Sequence, residues 1–257
     1  MKLVASMVVK DELGRYLPEC IGHLREIVDQ IVVLDDGSTD RTGEWLDDNT
    51  DEMMVVQHLD PSDGFFSGHE GRKRNHLLKL TLNQLPDWVL SIDADEFIGN
   101  PEGLREYAAG PRPVGTLEMQ EVWKAEPQAL GLALRCDGGW RPHPIPCFWS
   151  ARLSGRRGQA LRISDRALAC GREPEAARAW FGRARATGAQ IMHFGWAKEA
   201  DRQRRFDRYV EADGGKFHSN SHLGSIMWPD DKVTLEWTGW PTSLKEYRAQ
   251  IVADASS

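Results

Sequence analysis

Asp87-Trp88-Val89-Leu90-Ser91-Ile92-Asp93-Ala94-Asp95-Glu96 is a short apolar run that closes in three acids within four residues. Its length between charged residues suits a buried strand better than a helix. Toward the N-terminus, Ile31-Val32-Val33-Leu34 ends in the same manner, in Asp35-Asp36-Gly37-Ser38-Thr39-Asp40. Strands that are apolar on both faces belong to parallel sheets covered by helices. Open sheets of that kind bind ligands at the carboxyl ends of their strands. The two acidic loops are therefore expected along one edge of one sheet.

The surrounding sequence alternates in the way such a sheet requires. Leu3–Val9 reads as a first strand. Tyr16–Val28 carries Leu17, Cys20, Ile21, Leu24, Ile27 and Val28 at helical spacing. Ser38 or Asp40 is placed to cap a helix through Trp45 and Leu46. Met53–Gln57 reads as a strand, His76–Gln84 as a helix, and Pro101–Ala109 as a helix with proline near its start. Strand–helix alternation implies an α/β fold with a mostly parallel sheet and right-handed crossovers. After Gly110-Pro111-Arg112-Pro113 the pattern changes. Val114–Trp123 and Leu130–Cys136 read as antiparallel strands, and residues 137–146 as a Gly- and Pro-rich loop. A short apolar run follows at Gln190–Phe194, then a charged helix from Lys198 to Ala212, then a loop-like tail over His218–Trp240. The expected organisation is one domain in two halves, 1–110 and 111–257.

The chain has 257 residues, 40% hydrophobic and 28% charged, with a net charge of −7, which is ordinary for a globular domain and unsuited to general polyanion binding. The basic residues are uneven: nine Arg against three acids lie between Ala151 and Arg185. That stretch is either a solvated face or a surface that meets phosphate. Cys20, Cys136, Cys147 and Cys170 show no zinc or redox spacing, and scattered thiols are expected in a reducing compartment, the cytoplasm. Leu3–Val9 is too short for a signal-peptide core, and no apolar window approaches the ~20 residues of a membrane span. A P-loop and a G-x-G-x-x-G fingerprint are both missing from the sequence.

Three motifs carry chemistry. Asp36, at a strand end beside Gly37, can accept from a nucleobase N–H or a ribose hydroxyl, or it belongs to a simple capping loop. Asp93 and Asp95 can share a hard divalent cation that also holds a substrate's phosphates, or they form a solvated acidic turn. That pair points to nucleotide-sugar chemistry. Arg72-Lys73-Arg74-Asn75 opens a helix, where cations oppose the dipole; a bound phosphate would account for them, and so would an exposed basic turn.

Taken in order, Val9-Lys10-Asp11-Glu12, Val33-Leu34-Asp35-Asp36-Gly37-Ser38-Thr39-Asp40, Lys73-Arg74-Asn75 and Asp87-Trp88 through Asp93-Ala94-Asp95-Glu96 resemble a GT-A glycosyltransferase of the family 2 type over residues 3–100. The resemblance implies a nucleotide-diphospho-sugar transferase fold, with residues 1–110 for the donor and 111–257 for the acceptor and catalysis. It gives Val9, Glu12 and Asp36 to the nucleotide base, and Arg74, Asp93 and Ala94 to the rest of the donor. Asp93 and Asp95 of the D-x-D pair would bind Mn²⁺ or Mg²⁺, and late in the chain His193 matches a further metal ligand. Asp11 stands where the family usually has Asn. A UDP-sugar is the expected donor and inversion the expected stereochemistry.

The second half resembles the family less. Gly138-Gly139-Trp140-Arg141-Pro142 and Ala151-Arg152-Leu153 are similar to a stretch of members that modify lipid-linked cores, but the His-Glu pair that follows there is replaced near Ile163-Ser164-Asp165. Asp165 is the expected catalytic base, Asp137 its reserve, and Glu121 a further possibility. His218 and His222 form a weaker metal-binding pair. Trp140, Trp196, Trp237 and Trp240 are candidate sugar-stacking platforms. The acceptor classes left open are lipid-linked saccharide, surface polysaccharide, protein and modified nucleic acid. Two rivals stand beside the transferase: a non-catalytic nucleotide-sugar or polyanion-binding module, and a sugar-1-phosphate nucleotidyltransferase.

Overall fold

The computed structural model describes residues 1–60, 70–126, 131–155, 161–163, 172–213 and 224–255. They form a mixed α/β fold in two compact units. The first comprises Met1–Ala94, Pro101–Leu117 and Pro144–Ala189, and the second Asp95–Asn100, Glu118–His143 and Gln190–Ser257. The chain leaves the first unit between Ala94 and Asp95, inside the D-x-D pair.

In the first unit, β1 (Leu3–Val9), β2 (Gln30–Asp35), β3 (Met54–His58) and β4 (Trp88–Ser91) lie parallel in the order β3-β2-β1-β4. All seven residues of β1 and all six of β2 are buried, so neither strand alternates, as the continuous apolar runs require. Each large aliphatic side chain so placed contributes about 1.5–3 kcal/mol. Val9 pairs with Asp35, and the Asp36 N–H donates to the Val9 carbonyl at 2.8 Å, which puts the two strand ends side by side. Beyond β4 the sheet turns antiparallel: Trp88 lies opposite Ser150 of β8 (His143–Ser150). Trp88 stacks on Phe148 at 4.5 Å between centroids.

Helices α1 (Leu17–Arg25), α2 (Thr42–Asp48), α3 (Glu70–Asn83), α4 (Glu102–Ala108) and α5 (Glu175–Arg178) belong to the same unit. In α1 the buried stripe is Leu17, Cys20, Ile21 and Leu24, the spacing read in the sequence. Helix α3 begins six residues before its first predicted position, because its opening turns are charged and carry no apolar signal. Its buried face nevertheless runs through Lys73 and Arg74, then Leu77 and Leu78, then Thr81, at steps of four.

In the second unit, β5 (Glu96–Gly99) pairs antiparallel with the end of β9 (Arg185–His193), and β7 (Leu132–Arg135) lies between β6 (Val114–Ala125) and β10 (Leu235–Thr238), antiparallel to both. Helices α6 (Glu199–Asp213) and α7 (Arg248–Ala255) belong to the same unit. The sequence reading missed β5, whose first residue, Glu96, counts as one more loop acid until a partner strand is known. It also read β8 partly and β10 wholly as loop. The core here is aromatic: Trp123, Trp140, Trp196 and Ile226 are buried together. Arg135 is fully buried between the Trp123 and Trp140 rings, 4.5 Å from each centroid. Among the described residues no helix is long and apolar enough to cross a membrane.

Candidate functional site

The acidic loop after β2 is built by division of labour between two adjacent carboxylates. Asp35 Oδ1 accepts from the Ser38 N–H at 3.0 Å and its hydroxyl at 2.6 Å, and Oδ2 meets His58 Nδ1 at 2.8 Å. Asp35 thus closes the turn, with Gly37 at φ +66° supplying the left-handed step. Asp11 also adopts positive φ, and its carboxylate accepts from the Thr39 and Asp40 N–H groups at 2.7 and 3.1 Å. A short acidic side chain tolerates that backbone and does the stitching that Asn would do. Glu12 is held bidentately by Arg15 at 2.6 and 2.8 Å.

Asp36 is the one left for chemistry. It is fully buried and ion-paired with Lys73, while Lys10 Nζ donates to its carbonyl at 3.0 Å. Its Oδ2 accepts no hydrogen bond among the described residues. Burial pushes its pKa up, and Lys73 and Lys10 only partly offset this.

Lys73 and Arg74 occupy the core-facing stripe of α3, so each must find an anion or bear a desolvation cost. Lys73 finds Asp36. Arg74 approaches Asp93 Oδ1 at 3.8 Å, and Arg172 approaches Oδ2 at 3.6 Å. Asn75, the last residue of the basic motif, serves structure instead: its amide exchanges hydrogen bonds with the backbone of Ile163, each at 2.8 Å. The first unit therefore gathers four cationic side chains about Asp36 and Asp93, at the carboxyl ends of β2 and β4.

The second unit holds a different cluster. Glu96 lies opposite His193 in the β5–β9 ladder, and the Phe194 N–H donates to the Asp95 carbonyl at 2.8 Å. Strand register thereby brings His193, nearly a hundred residues away in sequence, beside Asp95. His193 Nε2 lies 3.6 Å from Asp95 Oδ1, and Nδ1 lies 2.6 Å from Glu121 Oε2. Arg205 of α6 is ion-paired with Asp95 Oδ2, its guanidinium 4.8 Å from the Trp196 ring centroid. Burial drives the His193 pKa down, but Glu121 and Asp95 outweigh it and raise it; burial likewise raises Glu121, and His193 outweighs that and lowers it. A Cβ on Gly195 would overlap the Arg205 guanidinium and come within 2.5 Å of His193 Nε2, so only glycine lets both groups close on this spot.

The donor chemistry suits a hard cation. One carboxylate and one imidazole nitrogen converge, and a second carboxylate orients the imidazole from its far nitrogen, the usual arrangement behind a metal-binding histidine. Among the described residues no three His, Cys, Asp or Glu side chains close on one point. Mg²⁺ and Mn²⁺ sites completed by substrate phosphates and water need no third protein ligand.

Asp137 is gripped by Arg135 at 2.8 and 3.0 Å and accepts from the Thr234 N–H at 3.2 Å; chiefly the Arg135 hydrogen bond lowers its pKa. Asp165, His218 and His222 lie outside the described residues. Val9 and Ala94 are buried, Val9 against the Asp36 backbone. Trp140, Trp196 and Trp240 are buried, whereas Trp237 is 43% exposed. Arg172 and Arg205 went unnoticed in the sequence. Both sit in Arg-rich stretches where no spacing singles out one residue.

Residues 6–101 match the family model described as Glycosyl transferase family 2, overlapping residues 3–100, which carry the resemblance. A TPR repeat-containing protein of Synechococcus elongatus is 34% identical over 90 residues, 35% of this chain and 19% of that protein. The chain thus spans about a fifth of the length of that curated relative. Among solved structures, 4-diphosphocytidyl-2C-methyl-D-erythritol synthase is similar at 18% identity over 60% of this chain and 78% of its own, with a TM-score of 0.39. HddC from Yersinia pseudotuberculosis is similar at 8% identity over 81% of this chain and 100% of its own, with a TM-score of 0.40. Likenesses of that size carry no argument about function.

Proposed function

We propose that this chain is a metal-dependent glycosyltransferase that moves a sugar from a nucleotide-sugar, a UDP-sugar, to a hydroxyl acceptor with inversion. The observation that carries the reading is the pair Lys73 and Arg74 on the buried face of α3, reaching Asp36 and Asp93 at the strand ends. Cations held in that position are suited to a diphosphate. Val9, Glu12 and Asp36 are assigned to the base and ribose, with Asp36 Oδ2, which accepts no hydrogen bond among the described residues, supplying an acceptor. Arg74 and Arg172, steadied by Asp93, are assigned to the diphosphate, and Ala94 lines the donor side. Residues 1–110, with Arg172 and His193 added from the second half, would serve the donor, and the rest of 111–257 the acceptor.

Asp95 and His193 would hold Mn²⁺ or Mg²⁺, and Asp93, the first acid of the D-x-D pair, would steady Arg74 and Arg172. When bound, such an ion neutralises charge that builds on a leaving diphosphate. Glu121 keeps His193 Nε2 turned toward Asp95. In the transfer, the acceptor oxygen bonds to the anomeric carbon as the carbon–oxygen bond to the diphosphate breaks, and the leaving oxygen keeps the electron pair. A carboxylate takes the hydroxyl proton. Asp165 is the proposed base; Asp137, committed to Arg135, is its reserve. The Arg-rich stretch from Ala151 to Arg185 favours an acceptor that carries phosphate, and the proposed location is the cytoplasm.

Release of free nucleotide from UDP-, GDP-, CMP- and dTDP-sugars, with Mn²⁺ and no acceptor, tests this reading through slow donor hydrolysis. Release from the UDP-sugar, absent in Asp165→Asn, is expected. Pyrophosphate release from a nucleoside triphosphate and a sugar 1-phosphate would establish the nucleotidyltransferase instead. Binding without any turnover would leave the non-catalytic module.

A further inference from the structure

One oxygen of the Asp95 carboxylate faces His193 Nε2, and the other is ion-paired with Arg205. Asp95 is only 3% exposed, so its charge cannot stand uncompensated. Arg205 supplies that compensation from a fixed base. Helix α6 is pinned by Arg202, which donates to the Trp196 carbonyl at 2.7 Å and lies 4.4 Å from the Trp123 ring centroid. Arg205 itself reaches across Trp196, whose ring offers its guanidinium a second resting surface. Gly195, without a Cβ, leaves room for both Arg205 and His193 at this carboxylate.

We infer that Arg205 is a built-in counter-cation that occupies Asp95 until a divalent ion displaces it. The inference rests on the reading of Asp95 and His193 as metal ligands. A guanidinium and a divalent ion a few ångströms apart repel by several RT even at protein-surface dielectric. The ion must therefore bind against Arg205 or after it has moved. The Trp196 ring, 4.8 Å from the guanidinium, is a surface along which it can withdraw.

The test is calorimetric titration of the full chain with Mn²⁺. Arg205→Gln is expected to bind Mn²⁺ alone about tenfold tighter than wild type, by loss of the competing charge. Arg205→Lys, which keeps the charge, should stay within about threefold of wild type. Equal Mn²⁺ affinity in wild type and Arg205→Gln, with binding lost in Asp95→Asn, would overturn the role of Arg205 and spare the metal site. Unchanged Mn²⁺ binding in Asp95→Asn would overturn both. Should Arg205→Gln fail to fold, [¹⁵N]Arg-labelled wild type titrated with Mg²⁺ reads the same event, with Arg205→Lys assigning the signal. The Arg205 side-chain resonance should shift as the ion binds, and a static resonance at saturation refutes displacement.

Discussion

Asp93 and Asp95 are two residues apart and live in different chemistry. Asp93, in the first unit, is about one-third exposed and stands between Arg74 and Arg172 at 3.8 and 3.6 Å. Asp95, in the second, is buried and meets Arg205 on one oxygen and His193 on the other. The spacing of a D-x-D motif implies two equivalent ligands; the proposed function instead gives the first a steadying role and the second a metal-holding one. Asp35 and Asp36 show the same asymmetry, one closing a turn and the other buried against a lysine. In an acidic pair, the partner side chains assign the task.

The largest effect should separate the D-x-D acids directly. Asp95→Ala is expected to slow donor turnover by about 10³-fold, roughly 4 kcal/mol of transition-state stabilisation, and Asp93→Ala by only about tenfold. Initial rates at saturating donor decide it, and equal losses would restore two equivalent ligands. Next, Lys73→Met should destabilise the fold by about 3–5 kcal/mol, because it strands a buried carboxylate at Asp36. Adding Asp36→Asn should recover most of that loss in urea unfolding. No recovery would mean that Lys73 acts through something other than this pair.

How far the sequence carried the account depends on where each signal resides. Strands β1, β2 and β4 are legible because both faces are buried and their apolar runs are unbroken. Their acidic ends are legible for the same reason: the run stops where the sheet edge begins. Lys73 and Arg74 stand out in the sequence as a basic motif, but their place at a helix start hides that they sit on the buried stripe of a helix already under way. Strand β5 and the His193–Glu121–Asp95 cluster depend on antiparallel register between segments nearly a hundred residues apart. No local pattern encodes that register. Trp140 and Trp196 were candidate platforms by composition, and only packing shows them as core. Asp137 likewise looked available until Arg135, buried between two indoles, was seen to hold it.

A smaller effect probes the second cluster from its glycine. Gly195→Ala should cost about 1–3 kcal/mol through forced displacement of His193 or Arg205, measurable as a lower urea midpoint at unchanged slope. An unchanged midpoint would show that the two side chains do not need this space. The smallest separates Asp35 from Asp36. Burial lowers the His58 pKa, but Asp35 and Asp47 outweigh it and raise it above the ordinary value near 6.5. A histidine raised on folding stabilises below its unfolded pKa and loses that contribution as pH rises through the folded one. His58→Gln should therefore lower Tm more at pH 6 than at pH 8.5, and an equal loss at both would argue against a charged His58–Asp35 pair.

The most direct measurement is thermal stabilisation by a UDP-sugar, with and without Mn²⁺, in wild type, Asp93→Ala and Asp95→Ala. Wild type should gain stability from the donor and more with Mn²⁺. Asp95→Ala should keep a donor shift that no longer responds to Mn²⁺, and Asp93→Ala should keep the Mn²⁺ response with a weaker donor shift. A Mn²⁺ response that survives in Asp95→Ala and vanishes in Asp93→Ala would contradict the division of labour between the two acids.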